Sequence, residues 1–172
     1  MDIDDRDAAP GLLRLIQSLA NTLSADEAVD LLETREEAAA WLRTAVLLPA
    51  ESGLSNSEHG ALLRLRDSLR DMLAAHTGAR EDAEAAARLT KALADGRLVL
   101  IVEPASTVQL ASAARASYAH VVASFAVAVA KSASVGSWLR LKACADPDCS
   151  QAFYDDSASA DADRCSRHAT GG

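Results

Sequence analysis

The residues of this chain whose types and spacing could do chemistry crowd into 144–172, CADPDCSQAFYDDSASADADRCSRHATGG. All 3 cysteines lie there, Cys144, Cys149 and Cys165, spaced C-x4-C-x15-C, and His168 follows as C-x2-H. Thiolate sulfur and imidazole nitrogen are the donors of tetrahedral structural zinc, which takes four of them. Pro147 suits the turn between the first two cysteines, with Asp146 and Asp148 beside it. His168 is the sole histidine of the segment and therefore the candidate fourth ligand. The expected cofactor is Zn2+, held by Cys144, Cys149, Cys165 and His168. The competing reading is three reduced thiols without a metal. Phe153 and Tyr154 are expected to form the small apolar plug that a metal module packs beside its ligands.

Composition narrows what such a site can serve. The formal charge is −8, and residues 144–172 alone set six aspartates against two arginines. A surface of that sign repels phosphate, which disfavours DNA. The chain opens MDIDDRDAAP, acidic where a secretory signal is basic. Its most apolar run, VVASFAVAVA at 121–130, is too short to span a bilayer. Three cysteines cannot all pair within one chain, so a reducing, cytoplasmic setting is expected and a membrane is not.

The elements that must position the site read as mostly helical, since 49% of residues are apolar and only 3% aromatic. The acidic first nine residues are expected to fray. Pro10 opens a helix using Leu12, Leu13, Ile16, Leu19 and Leu23. Ser24–Glu27 reads as a capping box for a short helix ending near Leu32. Thr34–Glu37 is another, with Ala38, Trp41, Leu42, Ala45 and Val46 inward. Ser55–Glu58 starts the clearest helix, with a stripe of Leu62, Leu65, Leu69 and Met72 or Leu73. Residues 80–95 predict a helix packing on Ala83, Ala87 and Leu93. The β-branched run 97–103 and residues 107–111 predict one small hairpin. A long helix follows over 112–134, burying Tyr118, Val121, Val122, Phe125 and Val129, and an extended stretch leads from Trp138 into Cys144. The expected fold is thus mostly α: a multi-helix domain, 1–140, with one small β-hairpin, then a short C-terminal zinc-binding module, 141–172.

With these residues in view, the chain resembles the CGNR zinc-finger proteins that carry an N-terminal ABATE domain, bacterial proteins regarded as stress-induced transcription regulators. LANTL at 19–23 and DLLETREEAAAWLR at 30–43 match the ABATE start. CADPDC, Phe153-Tyr154-Asp155 and Cys165-Ser166 match the zinc segment. The resemblance implies a regulator, with a structural zinc site and a helical domain that senses a ligand or partner. It also implies a fourth ligand from the cysteine of the family's Cys-Gly-Asn-Arg signature. That position falls on Thr170, followed by Gly171 and Gly172, and a hydroxyl is a poor zinc ligand, so His168 is the candidate substitute. The signature arginine, a basic helix beyond it and the arginines usual before the third cysteine are not in this sequence, which reads SASADADR there.

Outside the tail, His59 and His76 read as exposed polar positions and His120 as a satisfied, partly buried one. Trp41 and Trp138 read as core, and Glu36-Glu37 and Asp155-Asp156 as solvated charge. No phosphate loop, zinc-protease motif, nucleophile elbow or C-x-x-C pair is present, so no enzyme is expected. The expected partners are a second copy or another protein, and a small-molecule effector of unidentified chemistry. One alternative is a zinc-stabilised interaction module without DNA binding. The other is a cysteine-based redox sensor or small hydrolase.

Overall fold

The computed structural model describes residues 5–24, 29–78, 80–149 and 151–169, and five helices carry most of the fold. The chain enters through a 3-10 turn at Asp5–Asp7, and helix α1 follows at Leu13–Ala20. Two short strands, β1 at Leu23–Ser24 and β2 at Val29–Asp30, pair antiparallel. Helix α2 spans Arg35–Thr44 and helix α3 Asn56–Thr77. Both begin on complete capping boxes: Thr34 with Glu37, and Ser55 with Glu58, exchange side-chain and backbone hydrogen bonds as their spacing predicts.

Helix α3 is the axis of the core. Leu62, Leu65, Leu69 and Leu73 are fully buried, joined by Leu13, Ile16 and Leu19 of α1 and Leu42 of α2. Helix α4, Ala83–Leu93, lies along α3, and helix α5, Tyr118–Ser134, contributes Val121, Phe125 and Ala128. Between them β3, Leu98–Val102, and β4, Val108–Ser112, form the predicted hairpin. Its base rests on α5 at Gly96, where a Cβ would lie 2.9 Å from the Ala123 nitrogen, so only glycine permits the approach. A 3-10 turn, Trp138–Arg140, then leads into β5, Leu141–Ala143, which pairs with β6, Ala152–Tyr154.

The class is as expected, mostly α, but among the described residues there are three small antiparallel pairs rather than the one hairpin expected, and local assignments shift. Residues 25–28 of the proposed helix near Leu32 lie outside the described residues, and Val29–Asp30 is strand rather than helix. On α4 the buried side chains are Ala85 and Leu89, whereas Ala83 and Ala87 face out. Asp82 caps the helix by accepting from the Ala85 N–H, and packing on α3 then selects the face. Val46, expected inward, is exposed, because α2 ends at Thr44 and Val46 turns at φ 59°. Helix α5 starts at Tyr118, not 112, since β4 continues to Ser112. Trp138–Arg140 is a turn of 3-10 helix rather than extended.

Candidate metal centre

Cys144 follows directly on β5, and its N–H donates to the Gln151 carbonyl at 2.9 Å, continuing the β5–β6 ladder. The chain then turns around Pro147. Asp146 accepts from the Asp148 N–H through Oδ1 at 3.1 Å and from the Cys149 N–H through its carbonyl at 3.0 Å. That turn brings the second sulfur back beside the first. The other half is a turn at Cys165, whose carbonyl accepts from the N–H groups of His168 and Ala169, both at 2.9 Å. The Ala145 N–H, donating to Asp163 O at 2.8 Å, ties the halves together.

These turns bring together the four residues singled out from spacing. The three Sγ atoms and a ring nitrogen of His168 lie within 4.8 Å of one another. His168 Nδ1 is 3.4 Å from Cys165 Sγ and 3.8 Å from Cys144 Sγ, and Cys149 Sγ is 4.0 Å from Cys165 Sγ. Zinc–sulfur bonds of about 2.3 Å and zinc–nitrogen bonds of about 2.0 Å imply tetrahedron edges of roughly 3.5–3.8 Å. The sulfurs are too far apart for disulfides, which need about 2.05 Å, and all three cysteines are free. The cluster could hold a metal ion.

Electrostatics agree with that chemistry. Burial pushes the Cys149 thiol up to about 12, and the nearby Cys144 and Cys165 sulfurs add to the shift. Burial also raises Cys165. Three clustered thiolates are unfavourable without a cation, and a divalent ion among them inverts the balance. Phe153 is buried against all three cysteines, as the plug expectation required, while Tyr154 turns to the main core.

What sequence reasoning missed is the set of polar residues that seat this segment on the helical body. Asn21, at the C-terminal end of α1, bonds both backbone groups of Ala152: its Nδ2 donates to the carbonyl at 3.0 Å and its Oδ1 accepts the N–H at 2.7 Å. Gln17 Nε2 donates to Ala152 O at 3.1 Å and to Asp7 O at 2.7 Å. Asp7, expected within a fraying acidic lead, is buried and accepts from the Ser166 N–H at 2.9 Å and from its hydroxyl at 2.8 Å. The Asn-Thr pair inside an otherwise apolar helix end was the available signal; nothing local marked Asp7.

Asp155, read as solvated, is 2% exposed and paired with the equally buried Lys142 at 2.7 Å. Burial pushes its carboxyl up, but the Lys142 ammonium and the Ser157 hydroxyl and N–H outweigh that and hold it low. Lys142 Nζ also donates to Ala160 O and Ala162 O, so the link between the second and third cysteines is strung around one ammonium. Arg167 donates to Gln151 Oε1 at 2.6 Å and approaches Cys149 Sγ at 4.0 Å.

The other histidines stand apart from the cluster. His76 is buried rather than exposed: Nδ1 bonds Leu141 O at 2.8 Å, and the ring stands edge-on to Trp138. His59 is half-buried against Leu32 O at 2.8 Å, also unlike its expected exposure. His120 is half-buried, with its Nδ1 unpaired. Trp41 and Trp138 pack against the main core. Thr170, Gly171 and Gly172 lie outside the described residues.

Residues 13–136 match the ABATE family model, described as "Putative stress-induced transcription regulator", and the chain belongs to that family. The Cys3His cluster beyond them is consistent with a CGNR-type zinc module. No curated protein matches the chain. Among the described residues, no helix is long and apolar enough to cross a membrane.

Proposed function

We propose that this chain is a non-enzymatic, regulator-like protein whose C-terminal segment is organised by a structural zinc ion. The observation that carries this reading is the convergence of Cys144, Cys149, Cys165 and His168 within 4.8 Å. Four protein donors fill the tetrahedral shell of zinc and leave no position for a reacting water, so its contribution when bound is folding energy. The segment needs it: among the described residues, its cluster beyond Phe153 and the cysteines adds only the half-buried Ala162.

The regulatory part of the reading rests on the family and on the seating of the segment. Asn21, Gln17 and Asp7 connect the helical domain to β6 and to the residue after Cys165, so a partner or effector held by the helices would be felt at the metal centre. Direct DNA binding by this chain is disfavoured by the six aspartates of residues 144–172, which oppose phosphate.

Metal analysis of the purified chain tests the centre. About one zinc per chain is expected, with a sharp loss in His168→Ala. Unchanged occupancy in that variant removes His168 from the ligand set. Titration with duplex DNA at low salt tests the rest: absence of binding supports an interaction module, and salt-sensitive binding restores the DNA-binding regulator.

A further inference from the structure

Among the described residues, the β3–β4 hairpin carries an outer strand, Leu98–Val102, none of whose side chains is buried. Its backbone pairing is determined by its ends: Ala113 N–H donates to Arg97 O at 2.8 Å, and Glu103 N–H to Thr107 O at 2.9 Å. Residues 97, 99, 101 and 103 therefore turn their backbone groups towards β4, while Leu98, Leu100 and Val102 turn theirs outward. It is β4 that lies against α5, which leaves β3 outermost. Free edges are normally protected by lysine, proline or a bulge. Leu98–Val102 reads LVLIV and has none of these, with Leu100 and Val102 69% and 70% exposed.

We propose that β3 pairs with β3 of a second copy of this chain, antiparallel about a two-fold axis at Leu100, giving a four-stranded sheet. In this register Leu100 lies opposite the partner's Leu100, and Leu98 opposite the partner's Val102. Every outward backbone group from Leu98 to Val102 then finds a partner. The same register sets Arg97 opposite the partner's Glu103, twice by symmetry. Both side chains lie on one face of the sheet. Glu103 is held there by Thr107 Oγ1 at 2.6 Å and Gln109 Nε2 at 2.7 Å, and Arg97 has no side-chain partner among the described residues. Shifting the register by two residues loses both the full strand and the charge match.

Charge explains why a second copy fits. A chain of net −8 repels itself over most of its surface. The β3 strand is uncharged, and its two ends carry opposite signs, so two acidic copies meet here without like-charge contact. A contact made by one five-residue strand from each copy is at the low end for specific interfaces, and the expected dimer dissociates in the micromolar range or weaker.

Sedimentation analysis over a series reaching hundreds of micromolar decides the matter. A reversible monomer–dimer equilibrium is expected. Leu100→Pro should weaken it at least about tenfold, because it removes an N–H from each copy that the hairpin itself does not use. Arg97→Glu should also weaken it, and Arg97→Glu with Glu103→Arg should restore it. The charge pair keeps the test sound if proline disturbs the hairpin. A chain that stays monomeric throughout overturns the proposal and leaves the edge to a different protein. A dimer indifferent to all three variants overturns it equally.

Discussion

Along α3 cohesion comes from side chains that exclude water, whereas from Cys144 to Ala169 it comes from atoms that must bond. The leucine stripe of α3 packs among other apolar side chains, and such contacts impose no directional bond. The cysteine segment has a small apolar cluster of its own, and what joins it is a group of four potential metal donors, one buried ammonium and a few backbone bonds. Nondirectional burial makes a robust body, and directional bonds make an attachment that can be released without unfolding what it is attached to. Under the regulator-like function proposed above, that division gives a physical basis for one part to respond while the other stays folded.

The comparison can be broken most directly at the proposed metal centre. Structural zinc in small modules is worth roughly 10–16 kcal/mol in apparent binding. Chelation, or Cys165→Ser, should therefore expose residues 156–164 to proteolysis while α3 keeps its hydrogen-exchange protection. Equal loss of protection in both regions would show that they are one unit. Lys142→Ala comes next: it leaves Asp155 buried without its cation, at a cost of about 3–5 kcal/mol in denaturant titration. The double change Lys142→Met with Asp155→Leu should recover much of that.

Leu69→Ala tests the opposite side of the comparison. It should cost about 2–5 kcal/mol of body stability, and zinc affinity should not change. Asn21→Ala removes both bonds to Ala152 and should cost about 1–3 kcal/mol, read as faster exchange in β6. The smallest effect is a pH dependence. Burial, with the Lys142 charge, pushes His76 below its ordinary value of about 6.5 despite its bond to Leu141 O. The unfolded chain then binds the proton first, so His76 contributes fully above about pH 6.5, and that contribution is lost as pH falls towards its folded value. The stability difference between the parent and His76→Gln should narrow across that window.

Much of this was legible in the residues. Thr34–Glu37 and Ser55–Glu58 announce helix starts because a capping box is satisfied within four residues, and the α3 stripe announces a buried face by its period. The cysteine and histidine cluster is announced by a donor set with the spacing of a metal module. Asp7, Asn21, Lys142 and Asp155 were not legible in the same way. Each is polar in a polar neighbourhood, and its burial depends on a partner up to 159 residues away.

Sequence alone determined the helical class, the capped starts of α2 and α3 and the β3–β4 hairpin, and it singled out the four residues that cluster, since each rests on contacts within a few residues or on side-chain chemistry. The tertiary structure decided that Ala85 and Leu89 rather than Ala83 and Ala87 are buried, that Asp155 is paired rather than solvated, and that Asp7 and Asn21 hold the metal segment in place. Those outcomes depend on which surfaces the folded chain brings together, and no local spacing encodes that.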